Sequence, residues 1–233
     1  MNIALFGYGK MGKTIERIAL ERGHVIVAKI DVDTKDDNLS EADVAIDFSV
    51  PTEAFRNINK CFNKNIPIIS GTTGWLSKFN IAVENCKANN GAFIYASNYS
   101  LGVNLFFELN KQLAQMMRKF DSYNVRMEEI HHTQKIDAPS GTAITLAEGV
   151  IEQTDNENWS LGVTNDAKTI PIVSKRIDKV PGTHTVAYNS AVDEIEIKHT
   201  AHSRDGFALG AVIAAEWLQD KKGVFTMKDV LGL

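Results

Sequence analysis

Cysteine is scarce in this chain, two in 233 residues, and neither Cys61 nor Cys86 has a partner at metal-ligand or redox-motif spacing. That argues against a disulfide-stapled scaffold and a thiolate zinc site, and it leaves two buried, reduced thiols in helices of the first domain. Long apolar runs are missing too. The best candidate, residues 208–218, falls well short of the ~20 needed to cross a bilayer. Basic residues do not dominate: the formal net charge is -4, with no cationic stripe to recruit nucleic acid. No repeat or low-complexity tract interrupts the chain. The first apolar stretch meets Gly7 and Lys10 before a signal peptide's core could be completed, so a cytoplasmic setting is expected. What remains is 44% hydrophobic and long enough to bury a real core in one large or two modest domains.

Chemistry begins at the N-terminus. Met1-Asn2-Ile3-Ala4-Leu5-Phe6 reads as a short strand, followed by Gly7-Tyr8-Gly9-Lys10-Met11-Gly12 and a helix from about Lys10. This is Gly-x-Gly-x-x-Gly between strand and helix, the setting in which that pattern binds a dinucleotide. The first glycine permits a tight turn, the second lets backbone approach a pyrophosphate, and the third lets helix and strand pack closely. The apolar run 25–30 ends at Asp31, roughly twenty residues on, where a carboxylate can bond the adenosine ribose. A rival pattern overlaps it. Residues 7–14 also read Gly-x-x-x-x-Gly-Lys-Thr, a triphosphate-binding P-loop, and Asp47, ending the run 43–47, could hold magnesium through water. The second glycine and Asp31 favour the dinucleotide, because a triphosphate site requires neither.

Two later strands end in small polar residues. Gly71-Thr72-Thr73-Gly74 follows the run 66–70, and Ala96-Ser97-Asn98-Tyr99 follows the run 92–95. At the carboxyl edge of a doubly wound sheet such residues can line a nicotinamide, although Gly-Thr-Thr-Gly by itself also suits a plain turn.

The densest chemistry lies at residues 129–143. Residues 125–131 alternate like a strand, so His131 and His132 should point to opposite faces. Lys135 follows in a loop, free to meet an anion. After Pro139, Ser140 reads as the N-cap of a helix whose first residues, Gly141 and Thr142, leave backbone amides uncovered for a carboxylate. Imidazole, ammonium and amides near one point suit a small carboxylated substrate that needs proton transfer. Two ordinary strand histidines, one buried and one solvated, remain the alternative. Metal binding is not expected, because adjacent histidines on opposite faces chelate poorly and neither cysteine is near.

Organisation follows from the pattern. Alternating strands and helices to about residue 98 indicate an α/β, Rossmann-like parallel doubly wound sheet. Beyond it come a long helix over 101–120 and strands at 125–131, 169–175, 183–189 and 194–200. That describes a second α+β domain carrying a mostly sequential-strand sheet. Residues 153–159 and 163–168 read as loops.

Assembled in order, these segments resemble the 4-hydroxy-tetrahydrodipicolinate reductase family, also called dihydrodipicolinate reductases, of bacterial lysine and diaminopimelate synthesis. The most specific part is His131-His132-x-x-Lys135-x-Asp137-Ala138-Pro139-Ser140-Gly141-Thr142-Ala143. Ile46-Asp47-Phe48-Ser49 with Pro51, Gly71-Thr72-Thr73-Gly74, Asn98-x-Ser100-x-Gly102-Val103-Asn104, Gly182-Thr183-His184-Thr185 and Ile197-x-His199-x-Ala201-x-Ser203-Arg204 support it, as does Phe207-Ala208-x-Gly210-Ala211. The resemblance spans nearly the whole chain.

It implies a dinucleotide-binding domain of residues 1–98 plus 207–233, and a substrate-binding and oligomerisation domain of residues 99–206 that forms a homotetramer. It implies His131 as proton donor or acceptor, Lys135 as proton donor, and His132, Gly141 and Thr142 as substrate contacts. Gly7, Tyr8, Gly9, Lys10, Met11 and Gly12 would take the pyrophosphate and Asp31 the ribose. Gly71, Thr72, Thr73 and Ala96, Ser97, Asn98, Tyr99 would flank the nicotinamide. The implied reaction sends hydride from NADH or NADPH to C4 of a cyclic conjugated imine dicarboxylate, with loss of the 4-hydroxyl as water. Many members follow the acid with an arginine suited to a 2′-phosphate, whereas here Asp31 precedes Val32, which favours NADH, with Lys10, Lys13, Lys29 and Lys35 available to rescue NADPH. His199 is more simply a sheet-edge residue than a chemical one. A P-loop phosphotransferase or NTPase and a nicotinamide-binding regulator without catalysis stay as rival classes. Freshly made substrate with NADH separates all three.

Overall fold

A computed structural model describes every residue except 32, 33 and 35–38. Val32 and Lys35 therefore lie outside the described residues. In chain order the elements are β1 (Asn2–Phe6), α1 (Lys10–Glu21), β2 (Val25–Ile30), β3 (Val44–Asp47), α2 (Pro51–Asn63), β4 (Ile68–Ser70), α3 (Phe79–Ala88), β5 (Ala92–Tyr95) and α4 (Leu101–Met117). There follow β6 (Asn124–His131), α5 (Gly141–Ile151), β7 (Asn158–Leu161), β8 (Thr169–Arg176), β9 (Gly182–Asn189), β10 (Glu194–Ala201), α6 (Asp205–Leu218), β11 (Gly223–Phe225) and α7 (Met227–Leu231). The chain divides into two compact units, Met1–Leu101 with Arg204–Leu233, and Gly102–Ser203.

The first unit holds a six-stranded sheet in the order β11-β5-β4-β3-β1-β2, with every pair parallel. Its strands are short apolar runs because both faces are covered. Along β1 the side chains alternate between two cores: Ile3 and Leu5 join α1 and α6, while Ala4 and Phe6 join α2 and α3. Each fully buried Leu, Ile or Phe contributes about 1.5–3 kcal/mol relative to exposure. On α2, Ala54, Ile58, Cys61 and Phe62 form the buried stripe that a 3.6-residue period requires. Successive strands run outward from β1 in one direction and from β3 in the other. The crevice beyond the carboxyl ends of β1 and β3 is thus the switch point where such sheets bind ligands. Helix α6 packs against this unit by shedding side chains: a Cβ at Gly210 would sit 1.7 Å from the Tyr99 carbonyl oxygen.

The second unit is a mixed sheet in the order β10-β9-β6-β8-β7. Strand β6 is antiparallel to β9 and parallel to β8, and it inserts between them. Of the four neighbouring pairs, β9 with β10 and β7 with β8 are consecutive along the chain. Strand β7 begins at Asn158, inside the segment expected to be loop. Its pattern is short and half exposed, and pairing with β8 supplies what its residues do not signal. One sheet face is covered by α4 and α5 through Phe106, Leu113, Ala114, Met117, Leu146, Ala147 and Val150. Met127 on β6 joins that core, with Val125 packed at its edge.

Candidate active site

Strand β1 delivers the chain into a turn that only glycine fits. Gly7 has φ +84°, and a Cβ there would lie 2.2 Å from the Phe48 carbonyl oxygen. A Cβ on Gly12 would meet the Gly7 carbonyl oxygen at 2.2 Å, so the third glycine is fixed by helix-against-turn packing. Gly9 is different: its added Cβ meets nothing within 4 Å, and no side chain caps α1. Open space before free helix-start amides is what a pyrophosphate needs. Asp31, exposed just past β2, accepts from the Tyr8 N–H at 3.2 Å, tying the carboxylate to the same turn. Lys29 lies 2.5 Å from Glu16 and 4.8 Å from the Tyr8 ring centroid, and it also donates to the Tyr8 hydroxyl at 3.2 Å. The Lys29 ammonium and the Tyr8 hydroxyl together hold Glu16 below the usual carboxylate range. Lys13 sits 5.9 Å from the same ring, and Lys10 is exposed at the start of α1.

Beside this turn the buried carboxylate of Asp47 gathers four donors. Ser49 Oγ bonds it at 2.6 Å, Ser70 Oγ at 2.7 Å, Thr72 Oγ1 at 2.8 Å and Asn57 Nδ2 at 3.2 Å. Burial raises its pKa, and these bonds work against that rise. Thr72 also accepts from the Ser49 N–H at 2.9 Å, so the Gly-Thr-Thr-Gly loop is built into the sheet edge. Gly71 lies under Phe48, with the ring 2.4 Å from a hypothetical Cβ. Thr73 and Ser97 are exposed, and Ala96 and Asn98 half-buried; Asn98 Oδ1 accepts from the Ser100 N–H at 2.9 Å. Tyr99 is a core residue, 1% exposed, with its hydroxyl at 3.0 Å from the Ser70 carbonyl and 3.2 Å from that of Ile94. Its side chain is spent on packing.

The P-loop alternative fails on this geometry. Helix α1 starts at Lys10, so five of the eight residues 7–14 are helix where a phosphate loop would be open, and Asp47 is enclosed by donors that leave no room for magnesium water.

In the second unit, the face that Val125 and Met127 give to the core turns polar further along β6. Glu129 and His131 occupy it, 0% and 7% exposed. They meet the start of α5, where Ser140 caps the helix by accepting from the Ala143 N–H at 3.2 Å. Gly141 and Thr142 follow, with backbone amides that have no partner within the helix and open space around the Gly141 Cβ position. Glu129 is the hub. Its Oε2 accepts from the Ser140 N–H at 3.1 Å and lies 3.4 Å from His131 Nδ1 and 3.7 Å from His184 Nε2. Its Oε1 accepts from Ser174 Oγ at 2.8 Å and lies 3.3 Å from Arg176 Nη2. Burial would raise the Glu129 pKa, but the nearby His184 ring and the hydrogen bonds from Ser140 and Ser174 more than reverse it and hold the carboxyl well below the usual range. Burial pushes His131 down to about 4, against the upward pull of Glu129.

His132 lies just beyond β6 and is half-buried. Lys135 Nζ donates to both oxygens of Asp137 at 2.8 Å. The main chain there is braced by Arg176, which donates to the Lys135 carbonyl at 3.2 Å and to that of Asp137 at 2.6 Å. His184 bonds Ser140 Oγ at 3.1 Å and stacks edge-on against His131, ring centroids 5.0 Å apart. His199 stands opposite His184 across the β9–β10 pair, one strand further from Glu129, and its ring lies 6.0 Å from that of Phe106. Glu129, His184 and Arg176 were not singled out as site residues from the sequence; only the cross-strand register of β6 with β9 and β8 reveals them.

Among the described residues, Glu129, His131 and His184 have ligand atoms within 4.8 Å of one another, close enough to consider a metal ion. The carboxylate already accepts hydrogen bonds from Ser140, Ser174 and Arg176, and the Arg176 guanidinium supplies the positive charge a cation would bring. The cluster is built as a hydrogen-bond network.

Fold and site together define a nicotinamide-dependent oxidoreductase with a Rossmann-like first unit. Family models for the dihydrodipicolinate reductase N-terminus and C-terminus match residues 1–99 and 102–231. A 4-hydroxy-tetrahydrodipicolinate reductase from Christiangramia forsetii is 60% identical over 99% of this chain and 98% of that protein. One from Neisseria meningitidis is 33% identical over 94% of this chain and 84% of its own length. A dipicolinate-bound dihydrodipicolinate reductase from Paenisporosarcina shares the fold, with a TM-score of 0.77 at 22% identity, covering 97% of each chain. The chain belongs to the dihydrodipicolinate reductase family.

Proposed function

We propose that this protein reduces 4-hydroxy-tetrahydrodipicolinate to tetrahydrodipicolinate in lysine and diaminopimelate biosynthesis. The observation that carries the reading is the meeting of His131, the buried Glu129 and the open start of α5 on one face of the second sheet. When bound, the reduced nicotinamide supplies the hydride. The first unit's part is to hold the dinucleotide: Gly9 clears space for the pyrophosphate, the α1 amides face it, and Asp31 takes the ribose. Residues 71–73 and 96–98, with the backbone at Tyr99, shape the nicotinamide end.

The second unit supplies the acid–base groups. The amides of Gly141 and Thr142 receive one substrate carboxylate, with His132 as a further contact. Lys135 turns from Asp137 toward the substrate and donates a proton as negative charge develops, and His131, neutral at working pH, relays a proton. The 4-hydroxyl leaves as water and the enamine formed by hydride addition at C4 is protonated.

The reductant is NADH, or NADH and NADPH alike. An exposed carboxylate at Asp31 repels a 2′-phosphate, and Lys29, a candidate to rescue it, is held by Glu16 and Tyr8. A homotetramer assembled through the second sheet fits its open edge, where β10 leaves Ile195 39% exposed. The two buried free thiols suit a reducing cytoplasm. No helix among the described residues is long and apolar enough to cross a membrane.

The test mixes the protein with freshly made substrate from pyruvate and aspartate semialdehyde and follows the absorbance of NADH or NADPH. Substrate-dependent oxidation supports the reading; none with either reductant overturns it. A kcat/KM strongly favouring NADPH overturns the cofactor preference alone.

A further inference from the structure

We propose that Glu129 is the positioning residue of the second unit's site: one buried carboxylate fixes the ring state of His131, anchors the start of α5 and, through Arg176, moors the backbone that carries Lys135. The proposal rests on the reductase reading and deepens it. The two oxygens divide the work. Oε2 faces His131 Nδ1 at 3.4 Å and takes the Ser140 N–H at 3.1 Å, while Oε1 faces Arg176 at 3.3 Å and takes the Ser174 hydroxyl at 2.8 Å. Arg176 in turn holds the carbonyls of Lys135 and Asp137.

An ionised carboxylate only accepts, so the ring nitrogen turned toward it must carry hydrogen; a bare lone pair there would be repelled. His131 is therefore a neutral imidazole with Nδ1 protonated and Nε2 free to exchange a proton. Among the described residues His131 Nδ1 is buried without a hydrogen-bond partner, so the Glu129 carboxylate 3.4 Å away acts on it as a charge, and that charge favours the tautomer with hydrogen on Nδ1. The further charged or titratable groups acting on the ring are His184 from β9, Arg176 from β8 and Lys135 from the following loop, all of which disfavour the imidazolium; Glu129 favours it. Asp137 sits on the same loop, paired with Lys135. Once His131 takes a proton, Glu129 is the counter-charge that holds it.

Replacing Glu129 by glutamine keeps the volume but offers one acceptor in place of two, so either the His131 and Ser140 side or the Arg176 side meets an amide hydrogen. For Glu129→Gln the expected result is a kcat lowered at least about tenfold, part of the ~10²–10⁴ that a positioned acid–base group contributes. NADH affinity, measured by fluorescence titration, should stay within about twofold, because the first unit is untouched. The wild-type protein gives a second readout that needs no variant to fold. Long-range proton–nitrogen NMR of histidine-labelled protein, with His131→Asn identifying the signals, should show the His131 ring carrying hydrogen on Nδ1. A ring protonated on Nε2, or a Glu129→Gln enzyme with wild-type kcat, overturns the proposal. Wild-type protein that oxidises no reduced nicotinamide refutes the reductase reading instead, and the NMR result still decides the role of Glu129.

Discussion

Glu129 and His184 face one another directly across the antiparallel pair β6 and β9, and the same carboxylate oxygen that approaches the His184 ring takes the amide of Ser140. A strand register thus assembles chemistry that sequence spacing separates by more than fifty residues: His131, the helix cap and a second imidazole gather around one carboxylate oxygen. Four predictions follow the geometry outward from this point and into the first unit.

Lys135→Ala should fold normally and lose most of its turnover. The ammonium is half-buried and, among the described residues, paired with an exposed Asp137, so its loss costs little stability, within the ~0–1 kcal/mol of an ordinary surface ion pair. Its removal from proton donation should lower kcat by about 10²–10⁴. Steady-state kinetics and thermal melting on the same sample check both halves. Wild-type rates would remove Lys135 from the mechanism.

Stability should fall with acid in two stages. The folded-state pKa of His131 is about 4, below the ~6.5 of a solvated histidine. Between those values the unfolded chain binds a proton that the folded chain refuses, so stability present above pH ~6.5 is lost as the pH falls toward 4, by about 3 kcal/mol at most. Glu129 acts lower: its depressed pKa gives stability present above ~4.5 and lost below it. Urea denaturation of His131→Asn should flatten the first stage and spare the second. An unchanged slope in that variant assigns the first stage to another group.

The two outer faces of the glycine turn should respond oppositely. Gly12→Ala forces a Cβ to 2.2 Å from the Gly7 carbonyl oxygen and should cost about 1–3 kcal/mol of stability or more. Gly9→Ala meets no neighbour and keeps an ordinary φ of -78°, so the melting temperature should hold. Its methyl group enters the space reserved for the pyrophosphate, and NADH affinity should drop by about tenfold or more, ~1.4 kcal/mol. Equal melting temperatures for the two variants would refute this division.

Asp47→Asn should destabilise the first unit by about 1–3 kcal/mol, since the new amide places hydrogens against two of four converging donors. The Gly71 to Thr73 loop loses its tie, so the KM for the nicotinamide should rise as well. Added magnesium should rescue neither effect, whereas a metal-binding role for Asp47 requires that magnesium matter in the wild type.

Much of this was legible in the sequence because the signals are local. The glycine turn, the strand ends and the Ser140 cap each declare themselves within a few residues, and the helix start at Lys10 follows from them. Glu129 could not be read that way. Within Glu128-Glu129-Ile130 the sequence offers two adjacent acids, and only the face alternation set by Met127 decides that Glu129 turns inward. Arg176 and His184 are long-range partners, visible once β8 and β9 flank β6. Strand β7 escaped because an edge strand draws its order from its neighbour. Tyr99 looked like a ligand-lining residue by position, but its ring fills core space beneath the sheet edge, where a large side chain was needed.

The brace on residues 135–137 has one more consequence. Arg176 grips carbonyl oxygens and leaves the lysine side chain to pivot, while the nearby carboxylate of Asp137 already neutralises the ammonium. An incoming dianion therefore competes with an internal rival for the same cation. Attraction between opposite charges is largely cancelled on exchange, and selection among small acids is left to shape and to the number of backbone amides they can reach.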